Sequence, residues 1–559
     1  MPVPLPLSQR ADGLAAAAPA LRRAGLLQTL AALLWVPQAA LLALTVARLA
    51  EGGGLGQALP AAALILLAGL LRAALEAAGA RLAFRAGRAA LSSLRLAAAA
   101  ALAARSPLDV ARPPSGEAAA ALGEQADAVL PYLVRYRPAR QRAALVPPLL
   151  LLAVATQSWM AALILLVAAP LIPLFMALIG LRAQEASARQ MLEIGGTNAF
   201  LLDRLRGLAT IRAFDAVEVT ATRLRAAAEA LRARSMAVLR IAFLSSAVLE
   251  LFAALGVAML AVYIGFTLLG QIGFGAWGGG IGLAGGLFML LLAPAFFEPL
   301  RDLAAAWHDR AAGEAALDAL ARLAGSGEQL LPGAGDDPSR GPPGGPSAGP
   351  PTVVVQGLAF AYPGAAQPVL DGFDLGVAAG ERVALFGPSG GGKTTLLALV
   401  AGLAAPQAGT IAVGGEALTG GNAAALRTGM AWIGQRPHLF AGSLRANVLL
   451  GRDGLAPAAA DAVLARLLPG RDRRRQVGEG GAGLSGGEAL RLALARAAVD
   501  PRATLLLADE PTAHLDAQTA ADVTAALLDV ARGRTLIVAT HDPLLAARLD
   551  RVVLIGGPR

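Results

Sequence analysis

The sequence predicts an all-α six-helix transmembrane domain fused to an α/β P-loop domain. Three observations carry this: six apolar stretches between Leu26 and Leu300, a Gly/Pro-rich break at 325–351, and beyond it short β-rich segments alternating with helical ones. A hydrophobic content of 56% over 559 residues, with mean hydropathy of +0.58, exceeds that of a soluble protein and implies that part of the chain sits in lipid.

Each apolar stretch is judged by whether it crosses a hydrocarbon layer of ~30 Å as a helix. The spans are expected near Leu26–Leu49, Leu59–Ala78, Ala143–Thr156, Ala161–Leu181, Ile241–Leu269 and Ile281–Leu300. Pro147-Pro148 makes the third marginal, and Gln157-Ser158-Trp159 must turn the chain very tightly before the fourth. No early apolar core followed by a small-residue cleavage site is read in Met1 to Arg23, so the first span is expected to remain as an anchor.

Arginine fixes the orientation. Arg81, Arg85, Arg88, Arg95 and Arg105 follow the second span, and Arg182, Arg189, Arg204, Arg206 and Arg212 follow the fourth, while the loops after spans one, three and five hold almost none. The positive-inside rule places both long loops and both termini in the cytoplasm. The net charge of +9 is therefore read as membrane topology, with no nucleic-acid partner. Both loops have few helix breakers and predict long helices that extend the spans; at ~1.5 Å per residue, about 25 residues project nearly 40 Å. With no cysteine, the chain offers no disulfide, thiolate metal site or covalent thiol relay.

The run GSGEQLLPGAGDDPSRGPPGGPSAGPP at Gly325–Pro351 is a flexible linker. The expected order is a segment 1–24, a transmembrane domain 25–324, the linker 325–351 and a second domain 352–559. In that domain Thr352–Val355, Arg382–Phe386, Thr410–Val413, Met430–Ile433, Thr504–Ala508, Thr535–Ala539 and Arg551–Ile555 are expected strands of a largely parallel core sheet.

Gly387-Pro388-Ser389-Gly390-Gly391-Gly392-Lys393-Thr394 matches G-x-x-x-x-G-K-[ST] between an apolar strand and a helix. Gly387, Gly390, Gly391 and Gly392 let the backbone curl until its N–H groups, with Ser389 and Thr395, face phosphates. Lys393 adds charge at the outer phosphates and Thr394 a hydroxyl for Mg²⁺. Asp509 and Glu510 end the apolar run Leu505-Leu506-Leu507-Ala508, the first placed for Mg²⁺ and the second for the attacking water. Gln435 offers a carbonyl to metal or water, His541 reaches toward the γ-phosphate, and Tyr362 is a candidate for stacking on adenine.

Leu484-Ser485-Gly486-Gly487-Glu488 completes an ordered set that resembles the ATP-binding cassette (ABC) nucleotide-binding domain, whose signature is Leu-Ser-Gly-Gly. The resemblance implies ATP and Mg²⁺ as ligands. It also implies that Ser485, Gly486 and Gly487 act on ATP held by an opposing cassette, and that Asp516 belongs to the site. Glu488 stands where Gln is commoner, and Ala513-His514 replaces the usual serine-alanine. Val477-Gly478-Glu479-Gly480-Gly481 and the six spans resemble an exporter half-transporter, and Phe200–Phe214 looks like its coupling region.

Passages Ala161–Gly180, Met236–Glu250, Phe296–Arg301 and Ala306–Ala312 resemble the CydD-type subunits of the bacterial thiol-reductant exporter family. That implies a heterodimer with a CydC-type subunit in the lipids of the bacterial inner membrane, multi-pass with a cytoplasmic nucleotide-binding domain. It further implies export of cysteine or glutathione to the periplasm in support of cytochrome bd assembly, with haem among the ligands the family allows. All four histidines fall in expected cytoplasmic positions, so a haem in the spans would take Met, Tyr or the partner chain as ligand. Glu250 inside span five and Arg240 at its entrance are candidates for binding a charged cargo or for a structural ion pair. Two other readings stay open: a homodimeric exporter of lipid or drug-like cargo, and a membrane-anchored haem-binding or regulatory ATPase.

Overall fold

The computed structural model describes residues 7–109, 112–170, 204, 207–277, 280–325, 349–365 and 367–556. They fall into two compact units, one of 1–103 with 113–325 and one of 104–112 with 326–559. Most of the linker, much of the second long loop and the end of the fourth span lie outside the described residues.

The first unit is helical. Among the described residues four helices are long and apolar enough to cross a membrane: Leu14–Ala50, Ala58–Ala103, Glu250–Leu268 and Leu283–Leu323. They correspond to expected spans one, two, five and six. The third span falls within the helix Arg137–Ala155, which runs through Pro147 and Pro148; the fourth begins as Trp159–Ala168. The expected count of six is thus not reached within the described residues. Span one is broken at Leu34 into Leu7–Leu33 and Trp35–Ala50. Pro37 supplies the reason, because it lacks an N–H and its ring opposes the carbonyl four residues back.

The first long loop begins, and the second ends, within an extended helix. Leu55–Ala103 runs for 49 residues and Val217–Leu268 for 52, so each apolar span continues into an Arg-bearing stretch. Where spans five and six meet, a Cβ on Gly256 would lie 2.6 Å from Cζ of Phe297. Glycine is what lets these helices approach so closely. Thr156–Ser158 makes the tight turn between Arg137–Ala155 and Trp159–Ala168. Ser158 caps the second helix by accepting from the Ala161 N–H at 3.1 Å, and it donates to the Gly275 carbonyl at 2.6 Å.

The second unit is α/β, with two main sheets where one was expected. Strands β3 (Arg382–Phe386), β6 (Met430–Ile433), β9 (Leu505–Asp509), β10 (Thr535–Thr540) and β11 (Arg551–Leu554) form a parallel sheet in the order β11-β3-β10-β9-β6. Strands β1 (Val353–Phe360), β2 (Leu370–Val377), β4 (Ala408–Val413) and β5 (Glu416–Ala417) form a separate antiparallel sheet in the order β2-β1-β4-β5. The expected β1 and β4 therefore leave the core sheet, and β2 had not been expected at all. Strands β7 (Gly442–Ser443) and β8 (Gln476–Val477) make a small antiparallel pair.

The parallel sheet is covered on both faces. Leu505, Leu507, Ile537 and Ala539 pack with the antiparallel sheet and the helix Lys393–Val400, while Leu506, Ala508, Leu536 and Val538 pack with the helices Gly486–Ala498 and Ala517–Val530. Near-continuous apolar strands are what a sheet buried on both sides requires. Each buried leucine contributes roughly 1.5–3 kcal/mol. The segment 104–112 belongs to this unit: Arg105, Ser106 and Asp109 are buried and Leu108 packs against the cluster that includes Val353 and Phe360.

Candidate active site

Four parallel strands end on one edge of the core sheet, and the loops leaving them carry the expected site. Register places Phe386 beside Thr540 and Asp509 beside Ala539. Gly387 follows β3, Gln435 follows β6, Glu510 follows β9 and His541 follows β10. In open α/β sheets this carboxyl edge is where ligands bind.

The loop after β3 wraps closely because its glycines allow it. A Cβ on Gly387 would stand 2.1 Å from the Ile555 carbonyl oxygen, and Gly392 has φ +89 with Val369 2.9 Å from any added Cβ. Lys393 opens the helix Lys393–Val400 and is buried; its Nζ donates to the carbonyls of Gly387 at 2.8 Å and Pro388 at 2.9 Å. Thr394 Oγ1 donates to the Asp509 carboxylate, with 2.9 and 3.0 Å to its two oxygens. Burial raises the Asp509 carboxyl above its ordinary value; the Thr394 hydrogen bond and Lys393 oppose that rise and the nearby Glu510 charge adds to it.

Glu510 sits between Lys393 and His541. Its carboxylate lies 3.6 Å from Lys393 Nζ and 3.1 Å from His541 Nδ1. Its backbone is left-handed, with φ 46, which is unusual outside glycine and is held by the Glu510 N–H donating to the Ala539 carbonyl at 2.8 Å. A cavity of about 350 Å³ gathers Tyr362, Ser389, Gly390, Gly392, Lys393, Thr394, Thr395, Gln435 and Glu510. Tyr362 is hydrogen-bonded to the Thr395 hydroxyl at 2.9 Å and packs edge-on to Phe360.

The remaining expected residues stand apart from that cavity within this chain. Ser485 is exposed and caps the helix Gly486–Ala498: its hydroxyl accepts from the Glu488 N–H at 3.3 Å, and the Glu488 carboxylate accepts from the Ser485 N–H at 2.9 Å. This reciprocal capping box explains how Glu serves after the glycines. Burial works to raise the Glu488 carboxyl, but the Ser485 N–H and Arg471 hold it below the ordinary range. Gly487 is buried, and a Cβ there would meet Thr519 at 2.3 Å. Asp516 caps the helix Ala517–Val530 through the Thr519 N–H at 3.0 Å, and that hydrogen bonding lowers its pKa.

Sequence reasoning passed over two links. Thr512 donates to Asp542 at 2.9 Å, tying the turn after Glu510 to the turn after His541. Asp542 just before Pro543 was a readable cap signal, and its side chain does cap Pro543–Ala546. Arg471, which donates to Glu488 at 2.6 Å, carried no local signal.

The site can hold a nucleoside triphosphate with its metal. Thr394 and Asp509 form an all-oxygen pair suited to Mg²⁺, and the loop N–H groups with Lys393 suit phosphates. Comparison with known proteins agrees: residues 370–513 match the ABC transporter family and 26–291 the ABC transporter transmembrane region. The Escherichia coli K12 "Glutathione/L-cysteine transport system ATP-binding/permease protein CydD" is 38% identical over 437 residues, covering 77% of this chain and 72% of that protein. The Bacillus subtilis 168 protein of the same transport system named CydC is 30% identical over 436 residues, covering 77% of this chain and 73% of that one. The solved structure of a bacterial Atm1-family ABC exporter with ATP bound shares the fold, with TM-score 0.72 at 24% identity over 94% of this chain and 93% of that one. The chain is therefore an integral membrane protein with an ATP-hydrolysing domain, and it belongs to the ABC transporter family, among its CydD-type ATP-binding/permease proteins.

Proposed function

We propose that the chain is the CydD-type half of an ATP-driven exporter that moves cysteine or glutathione from the cytoplasm to the periplasm and so supports cytochrome bd assembly. The observation that carries this is the length of the likeness to CydD: 437 matched residues are more than either unit holds, so the membrane part is matched as well as the ATP site. The proposed partner is a CydC-type subunit, and the proposed place is the bacterial inner membrane with the ATP site in the cytoplasm.

In this reading Lys393 and the N–H groups from Gly387 to Thr395 bind the phosphates of ATP, and Tyr362 packs on the adenine side. Thr394, Asp509 and Gln435 would hold Mg²⁺, which neutralises phosphate charge. Glu510 orients a water molecule toward the γ-phosphate and takes its proton as the oxygen–phosphorus bond forms and ADP leaves; His541 steadies Glu510 and the γ-phosphate. The exposure of Ser485 and Gly486 supports a second reading step, in which they cap ATP held by the partner's cassette while Asp516 fixes the helix behind them. Within the expected spans no histidine is offered to haem: His541 is paired with Glu510, His438 packs on Phe440, His514 lies in a nucleotide-domain turn and His308 follows the expected sixth span Ile281–Leu300. No step is assigned to it.

The test is ATP-dependent uptake of labelled glutathione or cysteine into inverted membrane vesicles carrying this chain and a CydC-type partner. Uptake well above that of a Glu510→Gln control is expected. Uptake equal to that control would overturn thiol export, and full activity of this chain as a homodimer would overturn the proposed pairing.

A further inference from the structure

The helical unit holds a second cavity, of about 250 Å³, whose wall is charged although it lies at the inner ends of the expected spans. Trp35, Arg72, Glu76, Arg142, Glu298 and Asp302 line it, with apolar residues between them. Arg72 and Glu76 are four apart on one helix, and Glu298 and Asp302 four apart on another, so two helices each turn a pair of charges to the same space.

The charges are not balanced among themselves. Arg142 Nη2 donates to Asp302 at 3.0 Å, but its buried Nε has no hydrogen-bond partner. Arg72 forms no ion pair among the described residues; its guanidinium lies over the Trp35 ring, 5.5 Å from the centroid. That ring is fixed by Trp35 Nε1 donating to the Leu291 carbonyl at 3.0 Å. Glu76 and Glu298 likewise have no cation paired with them among the described residues. Ionisable side chains are expensive in a membrane-spanning region and mark ligand paths more often than packing. An orphaned buried donor calls for the same explanation.

We propose that this cavity is a binding site for a small zwitterion, an α-amino acid or short peptide. Its carboxylate is met by Arg72 and the free Nε of Arg142, and its ammonium by Glu76 and Glu298. A simple anion would leave the two glutamates unanswered, and a simple cation the arginines. The volume suits one amino acid or a few-residue peptide and is too small for a two-chain lipid. Recognition through ammonium and carboxylate needs no thiol, consistent with a chain that has no cysteine to offer. The inference deepens the export reading and rests on it only for the direction in which the ligand travels.

Equilibrium binding of labelled glutathione to the full chain with its CydC-type partner in nanodiscs tests it. S-methylglutathione, which keeps the ammonium and both carboxylates, should compete as well as glutathione; N-acetylcysteine, which keeps the thiol and loses the ammonium, should compete at least tenfold more weakly. Arg72→Gln and Glu76→Gln should each weaken glutathione binding by about tenfold or more, the loss of one charge-assisted hydrogen bond. Arg72→Lys should recover part of it, and Arg232→Gln, on an exposed pair with Glu229, should change nothing. Folding of each variant is verified by elution volume and by thermal stabilisation with ATP, and Glu76→Gln serves if Arg72→Gln fails that check. Binding within twofold of wild type in the folded variants, or no binding of any zwitterion, overturns the site. Vesicle uptake separates the two readings: uptake untouched by Arg72→Gln leaves export standing without this site, whereas absent uptake with Arg72-dependent binding leaves the site standing without thiol export.

Discussion

The Glu510 carboxylate lies 3.1 Å from Nδ1 of His541, at the point where β9 and β10 release the chain on one edge of the sheet. The two residues are far apart in sequence, and parallel pairing alone brings them together.

That pairing makes Glu510→Gln the sharpest test of the proposed hydrolytic role. The amide keeps the shape and hydrogen bonding but cannot accept the water's proton, so the ATPase rate should fall by ~10²-fold or more, with ATP binding retained. Steady-state phosphate release and trapping of labelled ATP measure the two effects. Undiminished release would remove Glu510 from the mechanism.

Asp509 should make metal binding sensitive to acid. Burial raises its carboxyl, so protons compete with Mg²⁺ at milder acidity than for a free carboxylate titrating near pH ~4. A raised acid favours the fold below its unfolded-state value and loses that contribution as pH climbs through the folded-state value. Without nucleotide, Asp509→Asn should therefore melt above wild type at neutral pH, with the gap closing on acidification. Calorimetry from pH 4 to 8 measures this, and a variant that melts lower at neutral pH would contradict it.

The capping box predicts a graded series at Glu488. Glu488→Gln keeps an acceptor for the Ser485 N–H and loses the Arg471 charge, at about 0.5 kcal/mol; Glu488→Ala loses both, at about 1–2 kcal/mol. Because the folded Glu488 carboxyl is lowered, its contribution is present above the unfolded-state value and disappears as pH falls through the folded one. Denaturant midpoints of the three proteins should differ at pH 7 and converge only as pH falls below that lowered folded-state value.

Glu250 and Arg301 are joined at 2.9 Å between the last two long membrane helices. Removing either partner should destabilise more than removing both, because a lone charge near lipid is worse than none. The coupling should exceed that of an exposed surface pair, above about 1 kcal/mol, in a double-mutant cycle on thermal inactivation. A coupling near zero would make the pair ornamental.

What the sequence made legible follows from what is local. The phosphate loop, the acids closing β9 and the signature Ser485-Gly486-Gly487 each declare themselves within a few residues. Strand partnership does not: Val353–Phe360 and Ala408–Val413 looked like core strands because apolar content carries no information about which neighbour a strand chooses. Leu370–Val377 stayed hidden because Asp371, Gly372, Asp374 and Gly376 interrupt its apolar pattern. The ion partner of Glu250 is Arg301, fifty-one residues away, which no neighbouring sequence signal announces. The coupling region at Phe200–Phe214 lies partly outside the described residues.

The carbonyl of Ile555 presses against Gly387, so the end of β11, the last strand among the described residues, also backs the turn that receives phosphate. A handle fused close behind that strand, or a chain cut before Arg551, would report on nucleotide affinity as well as on yield. Purification tags for this protein therefore belong at the other end or behind a long spacer.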